Sequence, residues 1–197
     1  LVGYVTLLCM DHTIRPFDWN EEKKFILIGI VGTTLYYWAE NTALVYTYAA
    51  NVSILVSMAP LLTTILASVF YKDEVIGKNT WLGFLVAFTG VVFVVFNGRM
   101  VLNLSPVGDV LSFIAALSWA LYSLILKQIM NNYPEIYLSR KIMFYGLVSG
   151  AIWMLVAKEP VGTAWMTLPN IGLLLVLGVV GNAVCYVAWN IANVQLG

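Results

Sequence analysis

Long apolar stretches separated by short polar ones run through the whole chain. Between Phe25 and Tyr71 the only charged residue is Glu40, and these 47 residues suffice for about two crossings of a bilayer at ~20 residues each. Because strict apolar–polar alternation is absent, the crossings are expected to be helices and not barrel strands. The pattern predicts six complete membrane helices and the end of a seventh, at about Leu1–Met10 (the fragment), Phe25–Tyr46, Asn51–Tyr71, Thr80–Asn97, Pro106–Met130, Ile142–Ala157 and Ile171–Asn193.

One apolar segment occurs twice. Residues 29–45 read GIVGTTLYYWAENTALV and residues 178–194 read GVVGNAVCYVAWNIANV, with eight identical residues at a constant offset of 149. An internal repeat determines the overall architecture, so it is considered before any single motif. The chain is therefore expected to consist of two related halves, each containing one copy of this helix.

Each copy carries the same kind of polar stripe. In the first copy Thr33, Tyr37 and Glu40 fall at i, i+4 and i+7, the spacing of one face of an α-helix. The matching positions of the second copy hold a corresponding set, Asn182, Tyr186 and Trp189. Two helices with matching polar faces suggest one site built by both halves.

The basic residues predict the orientation of the chain in the membrane. Loops 11–24, 72–79 and 127–141 hold eight lysines and arginines, whereas the alternating loops hold only Arg99 and Lys158. Such a bias places the basic loops in the cytoplasm. The first copy of the repeat then runs outward and the second inward, so the repeat is predicted to be inverted.

The amino-acid composition restricts the classes of function that are expected for the chain. The chain is 61% hydrophobic and 10% charged, against roughly 25% charged residues in soluble domains. Neither a nucleic-acid-binding patch nor a catalytic constellation is found in the sequence. Cys9 and Cys185 lie in apolar runs and are expected to be buried as small apolar side chains. His12 is the only histidine, so no metal site, cofactor or enzyme activity is predicted, and no oligomeric state follows from the pattern.

Several motifs resemble the EamA-type members of the drug/metabolite transporter superfamily. They read YAAN, SMAPL, KDE, WLG, GDVL and LSWALY, at residues 48–51, 57–61, 72–74, 81–83, 108–111 and 117–122. The resemblance implies an all-α polytopic membrane protein with two inverted five-helix repeats, and the first, ninth and tenth helices are expected to be missing here. Residues 1–104 would then form a partial first repeat (helices 2–5), and residues 105–197 a partial second repeat (helices 6–8).

Glu40 is the one ionisable residue expected well inside a span, roughly 9 Å below the outer helix end at 1.5 Å per residue. An ionisable side chain at such a depth is costly, and it is therefore a functional hypothesis by default. Glu40 is predicted to contact substrate or to carry a proton for coupled transport. The alternatives are a neutral, hydrogen-bonded strut between helices and exposure in an outer vestibule.

Aromatic residues are expected to complete the site. Trp119 and Tyr122 lie three residues apart near the middle of their helix, and with Tyr36 they would form part of an aromatic cage at the repeat interface. The alternative is that they are packing residues or interface anchors. Asn41 and Asn190 are expected to form hydrogen bonds between helices. The predicted substrate-binding residues are Tyr37, Glu40, Trp119, Tyr122, Tyr186 and Trp189.

The sequence thus predicts a multi-pass protein of the cell membrane that carries a small organic metabolite, such as an amino acid or a drug-like solute. It would be a secondary active or facilitative transporter, and an exporter, working by alternating access. Its partners would be the small-molecule substrate and the lipid bilayer, with proton coupling through Glu40 and no nucleic acid. Because every lysine and arginine is expected in a loop or at a helix end, neutral or zwitterionic solutes are favoured. A membrane-embedded enzyme and a non-transporting membrane subunit are the alternatives.

Overall fold

The computed structural model describes residues 2–10, 13, 17–71, 77–96, 105–158 and 167–196. In these ranges the regular structure is helical and no strand is present, so the predicted all-α class is confirmed. The α-helices in chain order are α1 (Val2–Met10), α2 (Trp19–Gly29), α3 (Tyr36–Tyr46), α4 (Ala49–Val56), α5 (Ala59–Phe70), α6 (Lys78–Phe96), α7 (Pro106–Lys127), α8 (Glu135–Ala157), α9 (Leu168–Val176) and α10 (Cys185–Leu196). A short 3₁₀ turn covers Met130–Asn132.

The chain forms two compact units. The first unit contains residues 1–33 and 125–197, and the second contains residues 34–124. The first therefore includes α1, α2 and α8–α10, and the second includes α3–α7. The repeat halves at 1–104 and 105–197 are defined by sequence similarity and not by compactness, and they stay a prediction.

Helix α2 begins at Trp19 and not at Phe25, where the apolar run starts. The side chain of Asp18 caps the helix by accepting the Asn20 N–H at 2.9 Å. Glu21 and Glu22 then lie in the first turn, where negative charge interacts favourably with the helix dipole. The polar residues expected to form a loop are thus the capped first turn of the helix.

Helix α8 also begins earlier than predicted, at Glu135 instead of Ile142. Pro134 precedes it with extended backbone angles, which is where a proline is tolerated because its missing N–H is not needed. Lys141 therefore lies well within a helix. The expectation that every basic residue belongs to a loop or a helix end was wrong for this lysine.

The predicted Asn51–Tyr71 crossing is broken between α4 and α5. Ser57 and Met58 separate the two helices, and Pro60 follows in the first turn of α5. Proline removes one helical hydrogen bond and clashes with the preceding turn, which accounts for the interruption at this point. The turn before α4 lies at Thr47–Tyr48, and not at Ala49–Ala50 as the sequence indicated.

Two segments of the chain are π-helical and continuous with the α-helices on both sides. Ile30–Leu35 joins α2 to α3, and Leu177–Val184 joins α9 to α10. A shift of 149 residues places the first segment at 179–184, inside the second. The sequence repeat is therefore also a repeat of an uncommon backbone conformation, one that is frequent at functional sites.

Matched glycines begin both repeated segments and bring helices of the first unit into close contact. A Cβ added to Gly29 would lie 2.8 Å from the backbone nitrogen of Gly146 on α8. A Cβ added to Gly178 would lie 3.0 Å from Val2 Cβ, and one added to Gly3 would lie 2.5 Å from the Gly178 carbonyl oxygen. Both copies thus need a glycine where a neighbouring helix approaches.

The predicted membrane character is supported by four helical stretches that are long and apolar enough to cross a bilayer within the described ranges. They are Ala49–Phe70, Pro106–Lys127, Glu135–Ala157 and Leu168–Ala192. Lys78–Phe93 is apolar but shorter. The chain is therefore an integral membrane protein.

Cys9 and Cys185 are exposed thiols, so the expectation that they are buried was wrong.

Some sequence predictions fall on residues that the structure does not describe. These include His12, Arg15, the KDE motif at 72–74 and the loop from Asn97 to Leu104. The predicted orientation depends partly on these basic loops and stays a prediction.

Candidate functional site

In the second unit, α3 and α7 bring together a carboxylate and four aromatic rings. The Tyr36 hydroxyl donates a hydrogen bond to Glu40 Oε1 at 3.1 Å. The Tyr36 ring centroid lies 5.1 Å from that of Tyr37 and 5.2 Å from that of Trp119. The Trp119 ring in turn lies 5.0 Å from that of Tyr122. Four of the six predicted site residues, together with Tyr36, therefore form one connected group, hereafter the Glu40 cluster.

Helical spacing explains this arrangement. Tyr36 and Glu40 are four residues apart on α3, and Trp119 and Tyr122 are three apart on α7, so each pair shares one helix face. Small side chains on α7 permit close packing, and the buried serines and alanines are Ser112, Ala115, Ala116, Ser118, Ala120 and Ser123. The Tyr71 hydroxyl also donates to the Leu124 carbonyl at 3.1 Å, which ties the end of α5 to α7.

Glu40, Tyr36, Tyr37 and Trp119 are each half-buried, whereas Tyr122 is fully buried. Tyr122 therefore supports the Trp119 ring from inside the unit, and the other members keep accessible surface. The cluster thus presents a carboxylate next to the faces and edges of aromatic rings. Such a surface offers acceptors for hydrogen-bond donors and a negative ring quadrupole for cations.

A cavity of about 560 Å³ lies beside the C-terminal end of α3. It is lined by Leu44–Tyr48 together with Ser105 and Pro106. Leu44 follows Glu40 by four residues, so the cavity begins one helical turn from the carboxylate. Its volume lies in the range of small-molecule sites.

The two remaining predicted residues lie in the first unit. Tyr186 is buried, and its hydroxyl donates to the Gly32 carbonyl, which belongs to the first π-helical segment, at 3.0 Å. Trp189 is half-buried on α10. Their participation with the Glu40 cluster in a single cage stays a prediction.

Thr33 departs from the predicted polar stripe. It lies inside the π-helical segment, where the spacing of 3.6 residues per turn no longer holds. Its side chain packs at Gly146 of α8, since a Cβ on Gly146 would lie 2.7 Å from Thr33 Oγ1. Tyr37 and Glu40 lie after this segment, on α3, and belong to the second unit.

Asn190, the residue that matches Asn41 in the repeat, is fully buried. Its amide donates to Ser139 Oγ on α8 at 2.7 Å. The expected hydrogen bond between helices is therefore confirmed for Asn190. Asn41 is exposed on α3.

A second buried carboxylate was missed by the sequence analysis. Glu22 forms an ion pair with Lys141, and the Tyr145 hydroxyl also donates to it. Glu22 is only 4% exposed. The Lys141 ammonium lies 5.3 Å from the centroid of the Phe25 ring, 5.8 Å from that of Tyr145 and 6.0 Å from that of Tyr137. This group, hereafter the Glu22 cluster, was missed because both charged residues were assigned to loops.

Comparison with known proteins finds a family and several relatives with similar sequences. Residues 1–96 match the model of the EamA-like transporter family. The chain is 27% identical over 178 residues to the uncharacterized transporter YyaM of Bacillus subtilis, 25% identical over 175 residues to an uncharacterized transporter of Archaeoglobus fulgidus, and 26% identical over 199 residues to one of Clostridium kluyveri. These matches cover 88%, 89% and 96% of this chain. They cover 58%, 60% and 63% of the relatives, so the chain spans about three fifths of their length.

A crystal structure of another protein has the same fold. It superposes with a TM-score of 0.74 over 98% of this chain and 64% of that chain, at 18% sequence identity. The family match begins in α1 and includes both α3, with Glu40, and the SMAPL motif. Residues 1–96, just under half of the chain, therefore carry the similarity to the EamA-like transporter family of the drug/metabolite transporter superfamily.

Proposed function

We propose that this protein is a secondary active or facilitative transporter that moves a small organic solute across the cytoplasmic membrane by alternating access, in the direction of export. The solute contacts the Glu40 cluster, with Glu40, Tyr37 and Trp119 at the accessible surface. Tyr186 and Trp189, on the second copy of the repeat, are proposed as further substrate contacts. The family match over residues 1–96 and the transporter relatives support the general class.

The observation that carries this proposal is the position of Glu40. It is a half-buried carboxylate in a helix of an integral membrane protein, hydrogen-bonded to one tyrosine and surrounded by rings. A carboxylate in such surroundings is expensive to maintain, and it is typically retained for an ion or substrate pathway. A cavity of about 560 Å³ is lined by Leu44, one helical turn beyond Glu40, and its volume suits a small solute.

The two π-helical segments support the alternating-access part of the proposal. Segments that depart from α-helical hydrogen bonding in matching positions of two repeats are where transporters of this kind bend and bind. The contact from Tyr186 to the Gly32 carbonyl shows one such segment bound by a side chain of the other repeat copy. Movement of one copy relative to the other would exchange contacts of this type.

Solute flux into proteoliposomes containing the complete protein tests the proposal. Labelled neutral amino acids and arylalkylamines are supplied outside vesicles that contain an excess of the same unlabelled solute. Counterflow above that of empty vesicles is expected for at least one solute. It should fall at least tenfold in Trp119→Leu, because the substituted ring lies at the accessible surface of the cluster, and persist in the control Trp81→Leu on α6. Absence of counterflow across the panel would overturn the transport function.

The two alternatives predict different results in the same vesicles. A membrane-embedded enzyme with Glu40 as its acid or base would change the chemical identity of a solute instead of its location. A non-transporting subunit would do neither. Chromatography of the internal contents after the flux assay therefore separates transport from conversion.

A further inference from the structure

In the Glu22 cluster, a carboxylate and aromatic rings together surround an ammonium group. Glu22 accepts hydrogen bonds from the Lys141 ammonium and the Tyr145 hydroxyl. The same ammonium lies within 6.0 Å of the centroids of three aromatic rings, from Phe25, Tyr137 and Tyr145. Cations at this distance from a ring are attracted by its quadrupole. The cluster is therefore a complete ammonium site whose cation is supplied by the chain itself.

The Glu40 cluster contains the same parts except the cation. Its carboxylate accepts a tyrosine hydroxyl, from Tyr36, and the rings of Tyr36, Tyr37 and Trp119 lie next to it. Among the residues of the second unit that the structure describes, Lys78 is the one basic side chain, and it begins α6. Among those residues, Glu40 forms no ion pair.

We infer that the ammonium missing from the Glu40 cluster is supplied by the transported solute, so that the substrate class is an amphipathic organic cation or the ammonium end of an amino compound. This inference rests on the proposed transport function. The carboxylate binds the charged nitrogen, and the partly exposed rings of Tyr36, Tyr37 and Trp119 bind the apolar part. Anionic solutes are disfavoured, because the Glu40 carboxylate would repel a negative charge.

Three probes that share an aryl group and differ in charge test the inference. They are phenethylammonium, 2-phenylethanol and 3-phenylpropanoate, each carrying a radiolabel. Binding to the complete protein in lipid nanodiscs is measured by equilibrium dialysis, with empty nanodiscs subtracted to remove partition into lipid. The ammonium probe is expected to bind about tenfold more tightly than the alcohol, and the carboxylate probe to bind more weakly than both.

Two acid-to-amide variants assign the charge preference to a residue. In Glu40→Gln the ammonium and the alcohol should bind with equal affinity. In Asp109→Asn, a matched change on α7 outside the cluster, the preference should remain about tenfold. A preference that survives in Glu40→Gln, or equal binding of all three probes to the unaltered protein, would overturn the inference.

Ring variants keep the inference testable if Glu40→Gln does not fold. Trp119→Leu and Tyr36→Leu should each lower the affinity for the ammonium probe more than that for the alcohol, whereas Trp119→Phe should retain most of the difference. An unchanged ratio in both leucine variants would contradict the role of the rings. Trp81→Leu serves as the control, since Trp81 lies on α6 outside the cluster.

The binding experiment and the flux experiment can each give a negative result independently of the other. Counterflow of neutral solutes without any charge preference in binding would remove the substrate class and leave the transport function standing. Charge-selective binding that depends on Glu40, in a protein without counterflow for any solute, would remove the transport function and leave the ammonium site standing. The two experiments use the same purified protein, so a difference between them cannot come from the preparation.

Discussion

Glu22 and Glu40 lie between Trp19 and Tyr46 in adjoining helical segments, yet their surroundings differ in one component. Glu22 has a lysine, a tyrosine hydroxyl and aromatic rings around it, and it is 4% exposed. Glu40 has a tyrosine hydroxyl and aromatic rings, it is half-buried, and within the described part of its unit it has no cation. The first carboxylate is paired with a lysine, and the second is hydrogen-bonded to a tyrosine.

This difference separates two uses of a buried charge. An ion pair with both partners inside the protein contributes to structure, because the loss of one partner leaves the other charge uncompensated. A carboxylate without an internal cation contributes little to stability and is maintained for a ligand or a proton. The identity of the nearest cation, and not the presence of the acid, distinguishes the two sites.

The largest effect is expected from breaking the Glu22 pair. Glu22→Gln should lower the free energy of unfolding by about 3–5 kcal/mol, because Lys141 then lacks its counter-charge. Unfolding of the purified protein in detergent measures the loss. Glu21→Gln is the control, since the Glu21–Lys24 pair at 3.2 Å is partly exposed and contributes about 0–1 kcal/mol.

The double variant Glu22→Gln with Lys141→Met sharpens this result. Removal of both charges should recover much of the stability, because a neutral apolar pair no longer leaves an unpaired ammonium. A double variant as unstable as Glu22→Gln alone would show that packing, and not charge pairing, determines the cost.

A smaller loss of stability is expected when α2 and α8 are pushed apart. In Gly29→Ala the new Cβ would lie 2.6 Å from Tyr145 Cβ and 2.8 Å from the Gly146 backbone nitrogen, so α8 must move. The expected cost is about 1–3 kcal/mol. Gly83→Ala on α6 is the matched control because nothing lies within 4 Å of the new Cβ. Equal effects of the two variants would rule out a requirement for close contact between α2 and α8.

Glu40→Gln is expected to change stability by less than about 1 kcal/mol, because glutamine can still accept the Tyr36 hydroxyl. Its effect should appear in transport. If Glu40 carries a proton in exchange for solute, the variant loses the pH dependence of uptake and keeps counterflow between two solute pools. A structural strut predicts that pH-driven uptake persists at an altered rate. Measuring both fluxes in one preparation distinguishes the two roles.

A comparably small effect on stability is expected from Tyr36→Phe. It removes the hydroxyl that donates to Glu40 at 3.1 Å but keeps the ring against Trp119, so the cost should be about 0.5–1.5 kcal/mol. Tyr145→Phe removes the equivalent donor to Glu22 and is its counterpart. A thermal unfolding series of both variants compares the two hydroxyls directly, and a Tyr36→Phe cost well above that of Tyr145→Phe would contradict the proposed difference between the clusters.

Apolar periodicity accounted for much of this architecture. The apolar runs predicted the helices, and the spacing of Trp119 and Tyr122 predicted that they share a face. The pairing of Glu22 with Lys141 could not be predicted, because it depends on where two helices begin. Local polarity favoured loops at Asn20–Lys24 and at 135–141, whereas an N-cap and packing against neighbouring helices extended α2 and α8 through them.

The π-helical segments were also beyond the reach of the sequence analysis. A repeat at a constant offset shows that two segments adopt the same conformation, but it does not identify that conformation. Counting at 3.6 residues per turn therefore placed Thr33 on the face of Tyr37 and Glu40. The structure instead packs Thr33 against Gly146.

The number of residues in the π-helical segment Ile30–Leu35 affects the direction of the side chains that follow it. A π-helical turn accommodates about one residue more than an α-helical turn, and each residue of an α-helix advances the side-chain direction by about 100°. Deletion of a single residue from this segment would restore uninterrupted α-helix and rotate the side chains of Tyr36 and Glu40 about the helix axis by about that angle. The direction of the carboxylate is therefore encoded by the length of this segment as well as by the position of the acid. Among aligned relatives, a one-residue gap in this segment would identify chains that keep the glutamate but whose carboxylate points in a different direction.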